Sequence, residues 1–273
     1  MSQTTQILPR VIPSPRRWKL PTPRLSVLRG AIVPVLLLGI WQFVSARGIV
    51  ANLILPSPWQ VVQALHVLVT SGLLLSSIEI SLQRLFLGYG IGIGIGLPLG
   101  VLMAVSPLAR KLIAPSFYAV ARVPLLAWVP FLMVIFGIGE ALKLAIIAKA
   151  ALTPVTMNTE RAIAAIPRGW VELGRLYRLS WFTALRRILL PATLPPIFVG
   201  LRLGLVQAWA ALVVVELLAA SRGLGFELAM SRQLFQLDTM VALMLVIGVI
   251  GFILDRGVAR IEFILIRRFG GVA

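Results

Sequence analysis

Six long apolar runs divide the sequence, at about residues 30–46, 84–105, 112–136, 141–158, 190–220 and 238–264. A bilayer's hydrocarbon core needs roughly 20 consecutive apolar residues per crossing helix, and every backbone N–H and C=O inside it must find a partner within the protein. Runs of this length confine the chain to a bundle of helices in a membrane. Composition agrees: only 13% of residues are charged, against about 25% in a soluble domain. The expected fold class is an all-α integral membrane protein with six transmembrane helices.

The charges test that topology. Six crossings put both termini on one side. Eighteen basic residues then fall on the terminal side: six in the N-terminal tail, Arg110 and Lys111, six across 159–187, and four at the C-terminal end. Only Arg47, Lys143, Arg222 and Arg232 fall on the opposite side. Excess Lys and Arg marks the cytoplasmic face, so both termini are expected there. Residues 1–29 are basic and Pro-rich and read as a disordered cytoplasmic tail. They are followed by one transmembrane body over 30–268 and a short tail, 269–273. The net charge of +17 therefore reflects loop sorting, not nucleic-acid binding.

Between the first two runs, Ser57, Pro58 and Gln60 have the pattern of an N-cap, an N1 proline and a capping-box partner. They predict a short amphipathic helix over about 58–70, stopped by Gly72 and lying near the outer interface. His66, the single histidine, sits there without a second His or a Cys. Packing or solvent exposure suits it better than a metal.

Residues 88–100 read GYGIGIGIGLPLG. No strand precedes them, so a dinucleotide-binding turn is excluded. At helical spacing Gly88, Gly92, Gly96 and Gly100 share one face. Such a stripe lets helix backbones approach closely, which predicts a packing face, with a subunit contact as one use of it. Pro124 and Pro130 interrupt the third run and predict a bent helix. The bend serves a translocation pathway or is only structural. Lys149, Arg202 and Glu216 are ionisable groups at membrane depth, with Glu79 and Arg84 near the start of the second run. Such groups face an interior or a cavity, contacting a polar solute or pairing with a neighbouring helix.

No acid–base, nucleophilic or metal constellation stands out, and no phosphate-binding Gly-x-x-x-x-Gly-Lys-Ser/Thr occurs. Asp255 with Ala259 and Arg260 only faintly resembles the aspartate-rich motif of membrane phospholipid-headgroup transferases, and the further aspartates are missing. A membrane enzyme is disfavoured, and the chain is expected to hold no cofactor or metal.

The polar stretch VELGRLYRLSWFTALRRILLP, residues 171–191, stands apart. Pro167 introduces a short helix over about 168–178, and Ser180 can cap a second over about 181–189. Leu176, Tyr177, Leu179, Trp181 and Phe182 stand beside Arg175, Arg178, Arg186 and Arg187. On physics alone a protein contact and a lipid-headgroup loop are equally good readings.

This stretch resembles the cytoplasmic coupling loop of ABC-importer permeases: Glu-Ala-Ala, three residues, Gly, nine residues, Ile-x-Leu-Pro. Glu172, Leu173 and Gly174 stand at its start, and Ile188, Leu189, Leu190 and Pro191 at its end. Arg178 occupies the motif's glycine. The resemblance extends over about 30–268, through LPSPWQVV, RVPLLAWVPFLMVIFGIGE, VVVELLAASRGLGFELA and LDTMVALMLVIGVIG. These are similar to the nitrate/sulfonate/taurine branch, with aliphatic sulfonate permeases nearest. The resemblance implies a bacterial inner-membrane location and a homodimer in membrane lipid. It also implies a separate P-loop ATPase dimer that carries ATP and Mg, and an extracytoplasmic solute-binding protein that largely decides the solute. Glu172 to Pro191 would receive the ATPase stroke. The rival is a self-contained ion-coupled carrier, which should show an internal repeat and broken helices in both halves.

Overall fold

The computed structural model describes residues 23–48, 55–167, 169, 176–178, 180–184, 186 and 189–268. All regular structure among them is helical. The chain divides into two units, residues 1–50 and 51–273. The first holds α1 (Pro23–Ala46), with Pro34 inside it and the apolar run from Ile32 exposed.

The second unit begins with α2 (Pro58–Thr70). Its capping box forms as the sequence dictates: the Ser57 N–H donates to Gln60 Oε1 at 2.7 Å and the Gln60 N–H to Ser57 Oγ at 3.2 Å. Gly72, at φ 75°, ends it in a conformation glycine adopts freely. His66 is exposed.

Helix α3 (Leu73–Val105) starts eleven residues before the expected second span, so Glu79 and Arg84 lie inside it. Next come α4 (Pro107–Arg122) and α5 (Leu125–Phe136), which meet at 103°. The third run is therefore two helices broken at Val123 and Pro124, not one continuous helix. Pro124 has no N–H to donate and keeps Val123 out of helical geometry, at ψ 123°. Pro130 lies inside α5 without breaking it. Helix α6 (Glu140–Ala164) follows. A short turn, α7 (Trp181–Ala184), precedes α8 (Leu190–Ala219), α9 (Leu224–Gln233) and α10 (Leu237–Arg268).

Among the described residues three helices, α3, α8 and α10, are long and apolar enough to cross a membrane, and the bent pair α4–α5 raises this to four. The six crossings read from the sequence exceed what helix length and composition alone mark. Helix α6 carries Glu140, Lys143, Lys149, Glu160 and Arg161, which make it more polar than the three long spans. It tolerates these charges because it is the core of the bundle, clasped by α3 and α8.

Close approach on both sides of α6 depends on glycine. A Cβ at Gly88, Gly92 or Gly100 would lie 2.6–2.7 Å from α6 atoms, and at Gly96 it would lie 3.2 Å away. The stripe on α3 thus packs within the chain. On the other side a Cβ at Gly200 would lie 2.6 Å from Asn158 Cβ, and one at Gly204 3.1 Å from Val155 Cγ2. Gly90 and Gly94 meet nothing within 4 Å. The apolar core beside this clasp is built from Val129, Leu142, Ile146, Ala150, Ala211 and Val215.

Candidate functional site

Three places in this frame carry polar chemistry: the 167–191 connection, the opposite end of the bundle, and the α4–α5 break between them.

Glu172, Leu173, Gly174, Leu179 and Ile188 lie outside the described residues. Of the rest, Leu176, Tyr177 and Phe182 are exposed at 78%, 73% and 65%, a high value for large apolar groups. Ser180 Oγ accepts from the Thr183 N–H at 3.3 Å, so Ser180 caps the Trp181 turn. Arg178 has φ 47°, the left-handed region. The backbone takes here the shape that glycine would adopt freely, although a side chain there costs about 1–2 kcal/mol. Leu190 and Pro191 form the first turn of α8.

At the opposite end, polar groups that are mostly buried, with Glu140 exposed at the rim, tie four helices together. Arg84 of α3 makes a two-pronged contact with Glu140 of α6, Nε to Oε2 at 2.8 Å and Nη2 to Oε1 at 2.7 Å. Its Nη1 donates to Glu216 of α8 at 2.7 Å and to the Arg222 carbonyl at 2.6 Å. Glu216 also accepts from Ser81 Oγ at 2.9 Å and from the Gly225 N–H of α9 at 2.9 Å. Lys143 donates to Glu140 at 2.8 Å and is 4% exposed, so it belongs to the helix interior and not to a loop. Gly223, at φ 115°, sits so close to Glu216 that a Cβ would collide with the carboxylate. Glu216, read as a pathway candidate, is fully buried in this lock.

Arg202 is likewise occupied, by Asp255 of α10: Nε to Oδ1 at 2.5 Å and Nη2 to Oδ2 at 2.6 Å. At the 167–191 end Glu160, 2% exposed, accepts from Tyr118 Oη at 2.5 Å and pairs with Arg110 at 3.3 Å. Arg84, Arg202, Lys143 and Arg110 therefore each have a carboxylate in this chain.

Lys149 has none among the described residues. It lies nine residues, about 13 Å, along α6 from Glu140, with its ammonium 5.0 Å from the centre of the Trp128 ring. Lys149 is half-buried, and a cation–π contact of about 2 kcal/mol offsets only part of what removing an ion from water costs. The rest of its charge is left to water or an anion. It has room: Lys149 lines a cleft of about 360 Å³ at the α4–α5 break. Pro124, Arg122, Thr153 and Gln207 line it too, with an apolar wall that includes Leu125, Leu126 and Val214. Its lining holds two cations and no carboxylate.

Of the residues flagged from the sequence, Pro124 and Lys149 meet at this cleft, while Pro130, Arg202 and Glu216 do not line it. Sequence reading missed Arg122, Ser81, Glu140 and Gly223. It also missed Gly200 and Gly204, which a search for Gly-x-x-x-Gly would have found. A second cleft, about 720 Å³, opens between α2 and α9, lined by Gln60, Gln63, Glu227 and Asp238 among others. Among the described residues no group of three or more His, Cys, Asp or Glu side chains could hold a metal.

Comparison with known proteins agrees with this layout. A permease of Bacillus subtilis (strain 168) named for aliphatic sulfonates transport, SsuC, is 32% identical over 88% of this chain and 87% of its own length. The taurine transport system permease protein TauC of Escherichia coli (strain K12) is 31% identical over 90% of this chain and 91% of its own. The nitrate import permease protein NrtB of Synechocystis is 29% identical over 92% and 95%. The MetNI methionine ABC transporter, in an inward-facing conformation, shares the fold with a TM-score of 0.57, at 24% identity over 72% of this chain and 96% of that one. Residues 96–265 match the binding-protein-dependent transport system inner membrane component family. With its clasped α6, its exposed connection before α8 and these relatives, the chain belongs to that family of ABC-transporter permeases.

Proposed function

We propose that this chain is the membrane path of an ATP-driven importer whose solute is an aliphatic sulfonate. Permeases of this family hold no ATP site of their own, and a separate ATPase supplies the energy. The observation that carries the solute is the 32% identity to a permease named for aliphatic sulfonates, spread over most of both chains. Relatives named for taurine and nitrate transport support the wider class of small oxyanions.

In this reading two copies of the chain pair in the lipid bilayer, with all termini in the cytoplasm. A solute-binding protein delivers the anion to the other face. Residues 167–191 dock on the ATPase through the exposed Leu176, Tyr177 and Phe182, with Glu172 near the positive end of the first short helix. Closure of the ATPase dimer draws on α8 through Leu190 and Pro191. The glycine-clasped α6 moves with it and exchanges access between the two faces.

The test is recovery of the tagged chain from its own membranes in mild detergent. A P-loop ATPase at near-equal amounts, reduced by Glu172→Ala, is the expected result. The reconstituted complex should then take up ethanesulfonate in an ATP-dependent manner. A chain that stays alone even after cross-linking, yet moves solute with an ion gradient, would be an ion-coupled carrier.

A further inference from the structure

The cleft at the α4–α5 break holds an unbalanced charge: of the buried or half-buried cations among the described residues, Lys149 alone has no carboxylate. Arg84 is held by Glu140 and Glu216, Lys143 by Glu140, Arg202 by Asp255 and Arg110 by Glu160. Lys149 faces only an aromatic ring. The second cation of the lining, Arg122, also has no carboxylate among the described residues. In a chain with nine acidic residues, those at depth are spent elsewhere. A bundle that neutralises its other half-buried cations but leaves Lys149 beside open space, with the exposed Arg122 at the same cleft, has kept that charge for one that arrives from outside.

We infer that this cleft is a station for the transported anion, where Lys149 and Arg122 receive a sulfonate headgroup and the wall of Leu125, Leu126 and Val214 receives its short alkyl tail. Gln207 and Thr153 lie in the same lining and can donate to the headgroup oxygens that the cations leave free. The volume of about 360 Å³ falls at the small end of ligand cavities, which fits a solute of a few heavy atoms. Charge sets the class and the apolar wall sets the preference: a sulfonate with a short tail fills both halves, whereas nitrate fills only one. Trp128 holds the lysine head against the cleft. Since the headgroup meets flexible cations and not a closed cage, the anion can leave again, as a transport path requires. This station rests on the importer reading, and adds to it residues that act on the solute after the binding protein has released it.

The experiment uses the purified complex of this chain with its ATPase, without the binding protein, so that the binding protein's own selectivity does not enter. Saturation-transfer NMR reads the ethanesulfonate methyl group, with nitrate as competitor, while uptake into proteoliposomes is followed separately with the binding protein added. The wild-type complex is expected to give a methyl signal that high nitrate displaces only weakly. Lys149→Met should lower that signal at least fivefold and raise the KM for uptake tenfold, with ATPase recovery unchanged. Lys149→Arg, which keeps the charge, should restore both to within about threefold. Arg122→Gln should weaken binding by less than Lys149→Met. A signal equal in wild type and Lys149→Met overturns the station. So does a wild-type complex that imports ethanesulfonate yet gives no signal, and either result leaves the importer standing. A wild-type complex that imports no sulfonate removes both.

Discussion

Arg84 donates to Glu216 at 2.7 Å across the interface of α3 and α8, and the Glu216 carboxylate is entirely shut off from solvent. Because Glu216 also accepts from Ser81 and from the backbone of Gly225, removing it takes an acceptor from three donors at once, with Arg84 keeping only Glu140 and the Arg222 carbonyl. Deleting one partner of a buried ion pair costs about 3–5 kcal/mol. Glu216→Ala should therefore lower the melting temperature of the detergent-solubilised chain sharply and expose the α8–α9 connection to protease. Glu216→Gln, which keeps an oxygen for Gly225, should fall between. A melting temperature within one degree of wild type for Glu216→Ala would show that the lock is not structural.

The two glycine faces of α3 predict opposite outcomes for the same change. At Gly92 a methyl group would meet the Ala148 carbonyl at 2.6 Å. Backbone cannot swing aside as a side-chain tip can, so α3 and α6 must separate, and overpacking of this kind costs about 1–3 kcal/mol. At Gly90 nothing lies within 4 Å, and alanine is the better helix former by about 1 kcal/mol. Gly92→Ala should destabilise the solubilised chain and Gly90→Ala should leave it unchanged or raise its stability, both read by thermal unfolding.

Glu227 gives the cleft between α2 and α9 a pH dependence. It stands in α9, and burial raises its carboxyl above the usual value of 4.5. The folded chain then holds this proton more tightly than the unfolded chain does, so stability falls as pH rises from the unfolded value through the folded one. At neutral pH the cost of the buried charge is fully present, and below the unfolded value it is gone. Glu227→Gln should raise the melting temperature at pH 7 and leave it unchanged at pH 4. An equal rise at both pH values would mean that packing, not ionisation, is responsible.

Much of this was legible in the sequence because it depends on local rules. The α2 capping box needs only Ser57, Pro58 and Gln60, and the α3 stripe needs only a four-residue repeat. What stayed hidden depends on which distant residues meet. Nothing in the sequence near Glu216 announces that Ser81 and Arg84 will reach it, and Arg202 looked as available as Lys149 until Asp255 came to lie beside it. The break at Pro124 was visible as a proline, but its 103° turn is a tertiary result: α5 folds back so that Val129 can join Leu142 and Ile146. Lys149 and Arg122 converge only because of that turn.

Arg178 supplies the test that separates backbone from charge in the docking proposed for residues 167–191. Its φ of 47° asks of an arginine what a glycine does without strain, and the difference is about 1–2 kcal/mol. Arg178→Gly removes the strain and the charge, whereas Arg178→Ala removes the charge and keeps most of the strain. If the turn geometry governs docking, Arg178→Gly should hold the ATPase at least as tightly as wild type, and Arg178→Ala should hold it no tighter. Arg178→Val, with a branched Cβ that tolerates positive φ least, should bind the ATPase most weakly and uncouple hydrolysis from uptake. If instead the guanidinium contacts the ATPase, Gly and Ala will weaken binding equally. Pull-down stoichiometry over a salt series decides between them, because a lost ion pair flattens the salt dependence and a relieved turn does not.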